Sequence, residues 1–257
     1  QLRYSPDETK LALDLCIFIN GLPVLTCELK NQLTKQNTDD AVKQYKVDRS
    51  PKDLLFSFKR CMAHFAVDDA RIKFCTKLCG QSSWFLPFDK GYRDGAGNPP
   101  NPDGLMTDYF WKDILSKSKL SRIIEHYAQV TAETDPATKK KTEKQIFPRY
   151  HQLDAVEKLL ADVKAHGLGR RYLIQHSAGS GKSNSIAWLA YQLTELLQDG
   201  RPMVDSVIVV TDRRILDKQT RDTMKQFMQL SNTTAWAKHS GELRKAIETG
   251  KRIIVTT

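Results

Sequence analysis

The run Tyr172-Leu173-Ile174-Gln175-His176-Ser177-Ala178-Gly179-Ser180-Gly181-Lys182-Ser183 constrains this chain more than any other feature. A strand is expected over residues 171–175 and a helix from Lys182 to Leu197, with a glycine-rich turn between them. Strand, tight loop and helix is the order in which a backbone wraps a phosphate group. Gly179 and Gly181 let the N–H groups around Ser180 point inward at phosphate oxygens, and the helix start adds positive partial charge. Lys182 is placed to reach β- and γ-phosphates and the Ser183 hydroxyl to ligate Mg²⁺. A plain strand-to-helix turn would account for the glycines, but it would need no lysine directly after them. His176 stands where the usual pattern begins with glycine.

The rest of the C-terminal part alternates in the same way. Helices are expected at 151–164, 216–228 and 241–249, and strands at 206–211 and 252–256, which indicates an α/β fold with a parallel sheet. Before it, the polar stretch from Thr131 to Gln145 contains Pro136 and Lys139-Lys140-Lys141. It is expected to be a linker whose lysines face solvent rather than DNA. This divides the chain into 1–130, a linker at 131–146, and 147–257.

In the first part, Asn20-Gly21 separates two apolar runs, and both residues tolerate positive φ, so a hairpin is expected. Strand alternation places Val24, Thr26, Glu28 and Lys30 on one face. Asp14 interrupts the facing apolar run, where a carboxylate is costly unless paired or bound to a cation. Asp14 and Glu28 then offer hard oxygen ligands for Mg²⁺ beside the Lys30 ammonium. That set suits metal-activated hydrolysis of a phosphodiester, with Lys30 orienting the nucleophile or stabilising the transition state. Spacing alone also fits a surface salt-bridge cluster. A helix is expected from Thr38 to Tyr45, strand candidates at 53–58, 60–66, 71–76 and 83–88, with helix or strand left open within 54–65, a loop at 91–104, and one helix over 108–129.

Lys and Arg outnumber Asp and Glu by 40 to 30, an excess spread along the chain that suits a polyanionic partner. The five cysteines are odd in number and lie mostly in apolar runs, which fits reduced core thiols and a cytoplasmic setting. No apolar stretch approaches the roughly 20 residues needed to cross a bilayer.

Together, Asn20-Gly21-Leu22-Pro23, Glu28-Leu29-Lys30-Asn31, His64-Phe65-Ala66-Val67-Asp68, Phe85-Leu86-Pro87-Phe88, Phe147-Pro148-Arg149-Tyr150-His151-Gln152, the loop 175–183 and Thr211-Asp212-Arg213-Arg214 resemble the R subunit of type I restriction-modification enzymes. The resemblance runs in order over almost the whole chain. It implies a restriction-endonuclease-like nuclease domain with a PD-D/ExK pattern, Leu13 replacing the proline common before the aspartate. A partial P-loop (RecA-like) helicase domain of superfamily 2 follows, and its loops often carry the departure at His176. It further implies that Gln152, supported by Arg149, recognises adenine, so that the nucleotide is ATP. Thr211, Arg213, Arg214 and Thr256 would hold the DNA backbone. The partners implied are double-stranded DNA and the methyltransferase and specificity subunits, the latter reading the DNA sequence.

The chain begins with Gln1 and ends in an expected strand, so it reads as a fragment that stops before the Asp-Glu motif and the second motor lobe. Such a fragment is expected to bind ATP weakly, without appreciable hydrolysis. Two other readings stay open. One is a helicase or remodelling ATPase with a non-catalytic N-terminal DNA-binding domain, in which Glu28→Ala and Lys30→Ala would not affect cleavage. The other is a scaffold with degenerate sites, in which Lys182→Ala would not alter nucleotide binding.

Overall fold

In the computed structural model, which describes residues 1–5, 11–134, 141–211 and 233–257, the chain divides into two units, Gln1–His151 and Gln152–Thr257. One turn organises the first unit. Asn20 and Gly21 take φ of 49° and 79°, the paired positive values whose twist matches right-handed strands. They join β3 (Leu15–Ile19) to β4 (Leu22–Leu29), after a small antiparallel ribbon of β1 (Leu2–Arg3) and β2 (Ala12–Leu13). A crossover containing α1 (Thr38–Val47) returns the chain so that β5 (Ala63–Val67) lies parallel to β4. Antiparallel β6 (Ile72–Cys75) and β7 (Leu86–Pro87) complete a five-stranded sheet in the order β3-β4-β5-β6-β7. The α1 helix starts on a capping box: Asn37 accepts from the Asp39 N–H at 2.8 Å, and Asp40 accepts from the Asn37 N–H at 2.9 Å.

All five β5 residues are buried, as befits a strand covered on both faces. His64 and Cys75 pair in register on the face under α1, with Tyr45 and Phe56 nearby. Phe65 and Phe74 pair on the opposite face and pack with Phe88, Phe110 and Phe147. Each buried phenylalanine contributes about 1.5–3 kcal/mol of transfer free energy.

Three expectations for this unit need correction. Residues 53–58 do not form a strand, because a 3₁₀ turn at Leu54–Phe56 sends both Leu55 and Phe56 into the core, which a strand's alternation would forbid. The helix expected over 108–129 is broken into a π turn at Phe110–Ile114 and α2 (Lys117–His126). Ser116 causes the restart, accepting a hydrogen bond from the Lys119 N–H at 3.3 Å as a new N-cap. The polar stretch expected as a linker carries β8 (Gln129–Thr134) and β9 (Lys141–Ile146), paired antiparallel. Gln145 fastens this ribbon to the unit by donating to the carbonyls of Cys61 and Met62 at 2.5 and 2.6 Å.

In the second unit, after α3 (Tyr150–His166) and α4 (Lys182–Glu195), a short hairpin joins β10 (Leu197–Gln198) to β11 (Arg201–Pro202). The parallel sheet consists of β12 (Val207–Val210), β13 (Thr234–Ala237) and β14 (Ile253–Thr256), in the order β12-β14-β13. From α4, Ala187 and Ala190 pack on Val209, Ile253 and Val255. From α5 (Ser240–Glu248), Ala246 packs on Ile254 and Ala237. Alternation along β14 therefore divides its side chains between two helix layers, giving a mixed α/β unit around a parallel sheet.

Residues 171–175 are the main correction here. They form no strand, and Leu173 is 94% exposed. Apolar sequence does not suffice for a strand; ladder partners do, and among the described residues none runs alongside this segment. The helix expected at 216–228 lies outside the described residues. No helix among the described residues is long and apolar enough to cross a membrane.

Candidate functional site

The β4 face that carries Val24, Thr26 and Glu28, continued by Lys30 one residue past the strand, is roofed by α1 and by Arg49 two residues beyond it. Thr26 Oγ1 lies 2.9 Å from the Tyr45 hydroxyl and 2.8 Å from His64 Nδ1. Lys30 Nζ donates to Gln44 Oε1 at 2.6 Å. Glu28 is fully buried, and Arg49 Nε donates to its Oε1 at 2.6 Å.

Asp14 sits at the junction between β2 and β3, where its Oδ2 accepts from the Leu29 N–H at 2.8 Å. The three expected residues are thus all anchored at the C-terminal end of β4. Burial pushes the Glu28 carboxyl up to about 7; the Arg49 hydrogen bond and charge pull it down, while the Asp14 charge and a hydrogen bond with Asp14 raise it. Glu28 Oε2 is buried with no hydrogen-bond partner among the described residues. A buried acceptor beside a second carboxylate gains most from a cation.

Asp14 and Glu28 are the residues able to hold a hard cation here. Among the described residues no group of three or more His, Cys, Asp or Glu side chains gathers around a metal position. Two carboxylates suit Mg²⁺, which keeps several waters and shares its shell with substrate phosphate. Gln44 and Arg49, which orient Lys30 and Glu28, were missed by the sequence reading. The available signal was a polar helix with an arginine two residues past its end, 21 residues from its partner.

At the glycine-rich loop, Gly179 and Gly181 take φ of 72° and 81°, a region that only glycine enters cheaply. Gly181 caps α4, so Lys182 and Ser183 occupy its first turn. Lys182 Nζ donates to the carbonyls of His176 and Ser177 at 3.0 and 2.8 Å, which folds the ammonium over the loop. Ser180 is buried within the loop. Gln152, also buried, donates through Nε2 to the Gly181 carbonyl at 2.9 Å and so supports the loop backbone. Arg149 belongs to the first unit, where burial lowers its pKa.

The Thr211 N–H donates to the Thr256 carbonyl at 2.9 Å, which sets the two threonines side by side at the C-terminal end of the parallel strands. In open α/β sheets that is the end at which ligands bind. Thr256 is buried, and Arg213 and Arg214 lie outside the described residues.

Residues 1–83 match the family model described as type I restriction enzyme R protein N terminus, and residues 151–257 match that of the SWI2/SNF2 ATPase. The first part of the chain is therefore similar to a restriction-enzyme R protein N terminus and the last part to a SWI2/SNF2 ATPase. The chain is 24% identical over 220 residues to "Putative type I restriction enzyme MjaVIIIP endonuclease subunit" from Methanocaldococcus jannaschii, covering 81% of this chain and 19% of that protein. It is 25% identical over 217 residues to "Putative type I restriction enzyme MjaVIIP endonuclease subunit" from the same organism, with 81% and 19% covered. It spans about a fifth of the length of these relatives and is a distant homologue of type I restriction enzyme R subunits.

Proposed function

We propose that this chain is the front part of a restriction-system R subunit that cuts unmethylated double-stranded DNA and draws it past the enzyme with ATP. The observation that carries the reading is the buried, donor-free Glu28 Oε2 set against Asp14, with Lys30 on the same strand face. In this reading the five-stranded sheet is a restriction-endonuclease-like core within residues 1–130. Residues 152–257, the second unit, are part of a RecA-like motor domain.

Asp14 and Glu28 hold Mg²⁺, which when bound activates water and draws charge from the scissile phosphate. Lys30, aimed by Gln44, stabilises charge on the attacked phosphate. Gly179, Ser180, Gly181 and Lys182 cradle the ATP phosphates, with Ser183 as a ligand for the nucleotide's Mg²⁺. Gln152 serves the adenine end. Thr211, Arg213, Arg214 and Thr256 grip the DNA backbone without reading sequence. Sequence choice then falls to specificity and methyltransferase subunits in a cytoplasmic complex.

Cleavage by the full complex tests the proposal. Wild type should cut unmethylated DNA when given Mg²⁺ and ATP, and Lys30→Ala should lower cutting by at least about 10²-fold, as loss of one charge-stabilising donor does. Unchanged cutting by Lys30→Ala would remove the nuclease assignment.

A further inference from the structure

Arg49 makes three hydrogen bonds, each to a different stretch of chain. Nε donates to Glu28 Oε1 on β4 at 2.6 Å, and Nη2 donates to the Ala12 carbonyl on β2 at 2.8 Å, two residues before Asp14. Nη1 donates to the Tyr4 hydroxyl at 3.1 Å, just beyond β1, and the guanidinium carbon lies 5.5 Å from the centre of that ring. The side chain is 5% exposed. A guanidinium is a rigid planar fork, so fixing three of its donors fixes the relative positions of all three partners.

We propose that Arg49 is the positioning residue of the Asp14–Glu28 cation site, aiming Glu28 Oε2 at the cation while fixing the strand that delivers Asp14. The proposal rests on the cation-site reading of that pair. Its main support is what the fork leaves undone. Arginine–carboxylate pairs are frequently bidentate, with both carboxylate oxygens gripped in parallel. Here Nη2 turns to the Ala12 carbonyl, Glu28 is gripped through Oε1 alone, and Oε2 stays buried without a donor. That arrangement leaves Glu28 Oε2 without a guanidinium donor, in a carboxylate pair with Asp14 that a cation can bridge. It also explains why an arginine stands just past the helix that roofs the site.

Mn²⁺ binding to the whole protein, measured by titration calorimetry at one pH without nucleotide, tests this for wild type, Arg49→Met and Arg49→Lys. Asp14→Ala and Glu28→Gln serve as controls, and all titrations are run well below each variant's melting temperature. Loss of an outer-shell partner weakens metal binding about 10–100-fold, and that is the change expected for Arg49→Met. Arg49→Lys should also bind at least about tenfold more weakly, because an ammonium cannot serve Glu28 and Ala12 together in the fork's geometry. Binding of an ATP analogue at the glycine-rich loop should stay unchanged in both variants, which separates positioning from general damage. Should Arg49→Met not fold, Arg49→Lys, which keeps the charge and most of the stem, carries the test. Wild-type Mn²⁺ affinity in either folded Arg49 variant, while Asp14→Ala and Glu28→Gln weaken it, overturns the positioning role alone. Wild-type affinity in both controls overturns the cation site itself, and this proposal with it.

Discussion

Glu28 and His64 are buried one strand apart, and burial moves their protonation in opposite directions. Glu28 is held near 7 instead of 4.5, so its contribution to stability is present below about 4.5 and is lost as pH rises through 7. His64 is lowered from 6.5 to about 4, so its contribution is present above 6.5 and is lost as pH falls toward 4. Each is worth about 3 kcal/mol over its range. The two slopes oppose each other where they overlap, and the metal-free wild type should be nearly flat in stability between about 4.5 and 6.5. Glu28→Gln removes one slope and exposes the other, so its stability should climb by about 2 kcal/mol across that range. Urea melts at stepped pH measure this. A flat Glu28→Gln profile would mean that the two groups are not both strained by burial.

The glycine-rich loop is held at one close approach. A Cβ at Gly181 would run into the Gln152 side-chain amide, and its φ of 81° already disfavours other residues. Left-handed backbone costs about 1–2 kcal/mol in a residue with a Cβ. Gly181→Ala should therefore weaken binding of a fluorescent ATP analogue by roughly tenfold or more. Unchanged affinity would show that the loop does not hold phosphate.

Elements whose determinants are local were legible in the sequence. Asn20-Gly21 needs only its own φ preference to make a hairpin, and alternation along β4 placed Glu28 and Lys30 on one face without knowledge of α1. What depended on distant partners was not legible. Residues 171–175 look like a strand until a ladder partner is sought, and β13 becomes a strand only through pairing with β14. The ribbon of β8 and β9 is mostly polar among its described side chains, and the Gln145 contacts reveal its docking where composition does not. Arg49 was invisible for the same reason, because its role exists only once β2, β4 and the N-terminal ribbon have met.

At the scale of the molecule, two kinds of phosphate chemistry share a chain with a formal charge of +10. In the proposed reading, Asp14, Glu28 and Lys30 would serve a metal-dependent cut, and the glycine-rich loop with Lys182 would serve a triphosphate. Each lies within its own unit, so damage to one should leave the other working. The most direct measurement follows DNA cleavage and DNA-stimulated ATP turnover together in the full complex with unmethylated DNA, comparing wild type with Asp14→Ala. The account predicts that Asp14→Ala abolishes cutting while ATP turnover continues at the wild-type rate. Cutting retained by Asp14→Ala would contradict it.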